Sequence, residues 1–106
     1  MADKLGKLPV IFRAERSGQF AGTVTAVFPT EPWNGAGDFT CYAHIGQHGG
    51  CSQAWYRSTR AATPAEFAPL LDELRAIYEA APDAVELVPC LRMTPKHRAA
   101  FLANWR

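Results

Sequence analysis

The sequence predicts an α+β fold: an antiparallel sheet of three to four strands, one long helix packed on one face, and a short C-terminal helix. Residues 8–46 contain short runs in which apolar and polar positions alternate, a pattern typical of strands. Residues 63–81 carry a helix-start signal followed by apolar residues at helical spacing, and Thr94-Pro95 repeats that signal. With 106 residues, 48% of them hydrophobic, the chain is expected to form a single domain over residues 1–106, in the order β-β-β-α-β-α.

The first two strands are predicted at about 8–15 and 20–29, joined by a hairpin at Ser17-Gly18. A slip of one residue in pairing moves every side chain to the other face of a sheet, so the apolar pattern selects the loop length. A three-residue loop brings the apolar sets together and places Phe12 opposite Gly22. Gly18 then occupies the position that needs a left-handed backbone conformation.

A third strand is predicted at about 39–46, followed by one or two helical turns within residues 51–59. One face of this strand is apolar and consists of Phe39, Cys41, Ala43 and Ile45. If the long helix covers that face, Tyr42 and His44 lie on the open face of the sheet, since alternate residues of a strand point to opposite sides.

The long helix is predicted at about 64–81. Thr63 is suited to cap it, Pro64 fits the first helical position, and Glu66 completes a capping box. Pro69 removes one backbone hydrogen bond and indicates a bend.

The last strand is predicted at about 85–92, beside the first strand. Pro89 cannot donate to a central ladder and therefore favours an edge position. Thr94-Pro95 opens a final helix that extends to Trp105, with an apolar side formed by Phe101, Leu102 and Trp105.

Charge and composition argue against several classes of function. The net charge is +1, whereas duplex nucleic-acid binding usually requires an excess of Lys and Arg, so we expect no nucleic-acid partner. The basic C-terminal residues Arg92, Lys96, His97, Arg98 and Arg106 are expected to form a solvated face. No apolar run approaches the roughly 18–20 residues of a membrane span, and three cysteines suggest no disulfide framework. We therefore expect a cytoplasmic protein with no membrane partner and no cofactor.

Four possible metal ligands lie within eleven residues: Cys41, His44, His48 and Cys51. Two cysteines and two histidines suit tetrahedral zinc, but Cys41 and His44 would point to opposite sides of a strand. Only an irregular loop would gather all four, and a structural role for these residues is the preferred interpretation. Alternatively, Cys51 forms a nucleophile pair with His48.

Aromatic and polar residues cluster in the same region. The binding candidates are Trp33, Tyr42, His44, Gln47, His48, Trp55, Tyr56 and Arg57. Trp, Tyr and Arg are enriched at the energetic centres of interfaces. The alternative is a second small cluster in which Trp33 and Trp55 pack under loops, and both interpretations remain open.

The stretch His44-Ile45-Gly46-Gln47-His48 resembles a family of small uncharacterised bacterial proteins that are often encoded near phage or conjugative-element genes. The flanking stretches 10–13, 27–29 and 62–67 extend the resemblance over roughly residues 9–92. The family has no established activity, so the resemblance implies no catalytic residue. It is consistent with an accessory protein of a mobile element.

These observations favour a non-enzymatic domain that binds a protein partner or forms a homodimer. The alternative is a small zinc- or thiol-dependent protein built on Cys41, His44, His48 and Cys51. Within the histidine stretch we expect hydrogen bonds that tie the end of the third strand to neighbouring backbone. A binding role for the same stretch is the competing hypothesis.

Overall fold

Two neighbouring antiparallel strands form the centre of the sheet and are buried on both faces. In the computed structural model, which describes residues 6–43, 48–79 and 85–105, these are β1 (Lys7–Ala14) and β2 (Val24–Pro32). Residues 10–12 of β1 and 26–30 of β2 are buried consecutively, not at every second position. Apolar side chains therefore project from both faces of the sheet, and each face needs its own covering layer.

The predicted hairpin forms, but its register differs from the expectation. Phe12 pairs with Ala26 and not with Gly22, a displacement of four residues along the second strand. Because four is an even number, the displacement keeps the same side chains on the same face. The apolar matching was therefore correct while the loop length was wrong.

The connection between β1 and β2 is longer than predicted because it folds upon itself. The Gly22 N–H donates to the Glu15 carbonyl at 2.9 Å, and Gly18 and Gly22 have φ angles of 85° and 84°. The left-handed conformation expected of Gly18 is confirmed, but a second glycine adopts it as well. Phe20, predicted within the strand, lies in this loop and its side chain is 63% exposed.

The sheet continues from β2 to β3 (Phe39–Tyr42) and then to β4 (His48–Cys51) at one edge. The predicted third strand at 39–46 is thus observed over its first half, while residues 44–47 lie outside the described part of the chain. The strand β4 was not predicted, because its Gly49-Gly50 pair is typical of a turn.

The predicted short helix is observed as α1 (Gln53–Ser58), and a two-residue strand, β5 (Arg60–Ala61), follows it and pairs with the end of β1. The long helix is α2 (Pro64–Tyr78), with Thr63 as its cap. Its capping box and its proline at the first position are confirmed, and Pro69 lies within the helix.

The last strand, β6 (Glu86–Cys90), pairs with β1, as predicted, and it runs parallel to it. The other strand pairs of the described chain are antiparallel. Pro89 lies in this strand, which has β1 as its only partner among the described residues. The final helix, α3 (Pro95–Asn104), begins at the predicted Thr94 cap.

The two faces of the sheet carry separate apolar clusters, and the predicted open face does not exist. The first cluster joins β1, β2 and α2 and includes Val10, Phe12, Phe28, Leu70 and Leu74. The second lies on the opposite face beneath α1 and α3 and includes Val27, Phe39, Trp55, Tyr56 and Phe101. The α+β class, with one longer helix and a short C-terminal helix, is confirmed.

Within the described residues, no helix combines the length and the apolar character needed to cross a bilayer.

The packing predicts a large cost for shortening a side chain of α2 that faces the sheet. Leu74→Ala leaves a cavity in the apolar cluster that includes Val10 and Phe28, so we expect the free energy of unfolding to fall by about 2–5 kcal/mol. Ile77→Ala, three residues further along the same helix, changes an exposed side chain and should alter it by less than about 0.5 kcal/mol. Urea denaturation of the two variants measures both values, and equal effects would contradict this packing.

The Glu66 carboxylate accepts several hydrogen bonds at the start of α2. Both Arg60 amino groups donate to the Glu66 carboxylate, at 2.8 and 2.7 Å, and the Thr63 N–H donates to the same carboxylate at 2.8 Å. These bonds, those from Arg60 first, lower the pKa of Glu66 to about 2. The associated stability is present above the unfolded-state pKa of about 4.3 and is lost as the pH falls towards 2.

We expect Arg60→Ala to move the pKa of Glu66 towards about 4.3 in an NMR titration of the side-chain carboxyl. Arg57→Ala removes an exposed arginine from the preceding helix and serves as the control. A Glu66 pKa that moves equally in both variants would show that general charge, not this contact, lowers it.

Candidate functional site

Tyr42 and His48 lie side by side beneath α2. They are directly paired residues of β3 and β4, so their side chains point to the same face, and their ring centroids are 5.0 Å apart. Tyr42 was expected on the open face of the sheet, and that expectation is wrong. Because Phe39, and not Tyr42, faces away from α2, the aromatic ring of Tyr42 is buried in the cluster under the long helix.

The helix α2 supplies a polar partner for each of these rings. The Tyr42 hydroxyl donates to a carboxylate oxygen of Glu73, and His48 Nε2 lies 2.6 Å from the Tyr78 hydroxyl. The Phe28 ring lies beneath, with its centroid 5.9 Å from His48 and 5.7 Å from Tyr78. We call Tyr42, His48, Glu73 and Tyr78 the tyrosine–histidine cluster.

The electrostatics of this cluster keep both phenols protonated. The Glu73 carboxylate accepts the Tyr42 hydroxyl and, with burial, raises the pKa of Tyr42. Burial, followed by the charge of Glu31, raises the pKa of Tyr78. A tyrosine whose pKa is raised is a hydrogen-bond donor at neutral pH and not a base. The cluster therefore joins the β3–β4 hairpin to α2 through protonated hydroxyls.

Neither Glu73 nor Tyr78 was among the sequence-derived site residues. Tyr78 belonged to the predicted apolar face of the helix, and Glu73 directly precedes the buried Leu74. The position of the Glu73 carboxylate at the border of the apolar helix face was the only indication in the sequence. Its pairing with Tyr42 depends on a tertiary contact that the sequence does not show.

Three of the four residues of the zinc hypothesis, Cys41, His48 and Cys51, lie in the described part of the chain, and they do not point to one site. Cys41 and Cys51 point to the face that carries Phe39, whereas His48 points to the α2 face and bonds to Tyr78. His44 and Gln47 lie outside the described residues. The described ranges contain no group of three or more His, Cys, Asp or Glu side chains arranged for a metal ion.

The same geometry separates the proposed nucleophile pair. Cys51 and His48 are an odd number of residues apart in one strand, and their side chains leave opposite faces of the sheet. Cys51 precedes α1, but that helix has only six residues, and its first turn is capped by the Ser52 hydroxyl, which accepts the Trp55 N–H at 3.0 Å.

Trp55 and Tyr56 hold α1 against the sheet. Trp55 Nε1 donates to the Glu15 carboxylate at 2.7 Å, and the Arg13 guanidinium lies 4.6 Å from the centre of the Tyr56 ring. Arg13 also donates to the fully buried Thr59, at 2.8 Å to its hydroxyl and 2.6 Å to its carbonyl. Trp55 and Tyr56 thus belong to the second apolar cluster, and they are carried by α1 and not covered by a loop as the alternative interpretation expected of Trp55.

Trp33 differs from the other aromatic candidates, Tyr42, Trp55 and Tyr56, because it is 49% exposed. Its indole ring occupies the space that a side chain at Gly50 would need. Trp33 lines an open surface depression together with Pro32, Asn34 and Trp105. Trp105 was expected only on the apolar side of the last helix; in the structure it lies against Gly37 and is 38% exposed. Arg57 is exposed on α1.

A larger cleft, of about 640 Å³, lies between α3 and the strands β1, β2 and β6 and contains a cysteine–histidine pair that the sequence analysis missed. Cys90 Sγ is 4.0 Å from His97 Nε2. The Thr94 N–H donates to His97 Nδ1 at 3.2 Å, so in the neutral ring the proton is on Nε2. The Cys90 thiol donates to the Val88 carbonyl at 3.3 Å, and burial raises its pKa. A protonated thiol facing a protonated nitrogen is not an activated nucleophile.

Comparison of the chain with protein-family models, curated proteins and solved structures found no match. The resemblance of the 44–48 stretch to small bacterial proteins therefore stays a prediction.

The contact between His48 and Tyr78 predicts coupled effects on stability. We expect His48→Ala and Tyr78→Phe each to lower the free energy of unfolding by about 1–3 kcal/mol, because each leaves a half-buried polar partner without its bond. Either single change already breaks this bond, so the second change in the double variant has no bond left to break. The sum of the single effects should exceed the double effect by about 0.5–3 kcal/mol, and strictly additive values would contradict the bond.

Proposed function

We propose that the chain is a non-enzymatic interaction domain that binds a protein surface, either a protein partner or a second copy of itself. The contact surface is the tryptophan patch, which we define as Trp33 and Trp105 with the depression between them. The observation that carries the proposal is the exposure of two large aromatic side chains that line one depression. Tryptophan is among the residue types enriched where interfaces gain their binding energy.

The patch is held in place before any partner binds. The Trp33 N–H donates to the Asp38 carbonyl at 2.8 Å, and its ring rests on the bare backbone of Gly50. The Trp105 ring rests on Gly37, which has a φ of 89°. Aromatic rings supported in this way lose little conformational freedom on binding, which favours affinity.

The other chemistry-bearing side chains support a non-enzymatic role because they already serve the fold. His48 is bonded to Tyr78, Trp55 to Glu15, and His97 to its own helix cap. The proposed setting is the cytoplasm, and an accessory role in a mobile element follows from the resemblance at residues 44–48. With a net charge of +1, nucleic acid is not the expected partner.

Two variants test the patch by different means. Trp33→Ala removes the ring, whereas Gly50→Ala keeps it but places a methyl group in the space that the ring occupies. We expect either variant to weaken complex formation roughly thirtyfold or more, the effect of losing about 2 kcal/mol at an interface centre. Phe20→Ala is the control, since Phe20 is a large exposed aromatic residue in a different loop.

Light scattering after size-exclusion chromatography measures self-association, and affinity capture from the native host measures binding to another protein. Melting curves establish that each variant is folded. A wild-type chain that is monomeric at high concentration and captures no protein would overturn the proposal. So would a complex that Phe20→Ala weakens as much as Trp33→Ala does.

A further inference from the structure

Cys41 and Cys51 lie on neighbouring strands and on the same face of the sheet. Cys41 of β3 pairs with Gly49, and Cys51 of β4 pairs with Phe39, so the two cysteines are diagonal neighbours across the ladder. Residues in this arrangement are within reach of one another's side chains. Both side chains are half-buried, and neither cysteine is engaged in a disulfide.

The proximity of the two thiols makes their pKa values unequal. Interaction with the Cys51 thiol lowers the pKa of Cys41, whereas the same interaction, with burial and the charge of Asp38, raises the pKa of Cys51. Cys41 is therefore the group that ionises first. A thiolate is the attacking species in thiol–disulfide exchange, and a neighbouring thiol is needed to complete it.

A covalent link between the two cysteines requires a small movement of the strands. Cα atoms at diagonal positions are typically about 7–8 Å apart, somewhat wider than the spacing in most disulfides, so the Cα atoms must draw slightly closer. Gly49 lies directly opposite Cys41, and no atom lies within 4 Å of the position that its Cβ would take. The two cysteine side chains can therefore rotate towards one another without meeting a side chain at residue 49.

We propose that Cys41 and Cys51 form a reversible dithiol–disulfide site that is oxidised by low-molecular-weight disulfides of the glutathione type. The proposal does not rest on the tryptophan patch, although Gly50 of the same strand supports the Trp33 ring. Its oxidation cross-links the edge strand β4 to β3.

The exchange proceeds in two balanced steps. The Cys41 thiolate attacks one sulfur of oxidised glutathione, which forms a mixed disulfide and releases one glutathione thiolate. Cys51 then loses its proton to solvent and attacks the Cys41 sulfur, which forms the Cys41–Cys51 bond and releases the second glutathione. The dithiol gives up two electrons and two protons, and one molecule of oxidised glutathione becomes two of reduced glutathione.

The experiment treats the folded, reduced protein with oxidised glutathione and follows its intact mass and peptide map. We expect the wild-type chain to lose two hydrogen atoms and to yield a peptide pair joined through Cys41 and Cys51. Cys51→Ser should stop at the mixed disulfide on Cys41, and Cys41→Ser should react at least tenfold more slowly. Cys90→Ser is the matched control and should react as the wild type does, because the Cys90 thiol donates to a carbonyl and its pKa is raised.

Circular dichroism of each variant before the reaction shows whether it is folded, and unfolded variants are replaced by the corresponding Ala variants. Addition of excess reduced glutathione should restore the dithiol. A wild-type protein that retains stable glutathione adducts, that forms a bond to Cys90, or that does not react would each overturn the proposal.

Discussion

Burial of the β1–β2 ladder on both faces is the constraint on which the rest of the structure depends. Residues 10–12 and 26–28 are almost completely excluded from solvent, and consecutive residues of a strand point to opposite sides. A sheet of this kind is stable only between two covering layers, which α2 provides on one face and α1 with α3 on the other. The hydrogen bonds from Arg13 to Thr59 connect β1 to the residue that ends α1, and they help to hold this small helix on the sheet.

The sequence was most informative where the physical signal is local. Thr63 and Thr94 cap helices through their own side chains, and Pro89 marks a strand that has β1 as its only partner in the described chain. The sequence did not determine the structure where two strand registers are compatible with the same alternation of apolar and polar residues. The hairpin could slide by an even number of residues without exposing its apolar set, so the alternation did not determine the register. The run of Val10-Ile11-Phe12 carried the evidence for a two-sided core, but the prediction assigned alternate residues to one face.

The candidate site shows the same division between local and tertiary information. The sequence analysis selected the region around Tyr42 and His48 because aromatic, histidine and glycine residues are concentrated there. Its partners Glu73 and Tyr78 are about thirty residues away in sequence and meet it only because α2 lies across the hairpin. Tyr42 reaches Glu73 because it lies on the face of the sheet that α2 covers. The sequence did not show which face the long helix would cover.

The edge strand β4 shows how a short segment can serve several contacts at once. Its first residue, His48, is bonded to the long helix, and its last, Cys51, belongs to the cluster on the opposite face. Between them, Gly50 has no side chain, and Trp33 occupies the space that one would need. Glycine is unfavourable within a strand because it loses more conformational freedom than other residues on folding. At Gly50 the contact between the bare backbone and the Trp33 ring offsets that cost.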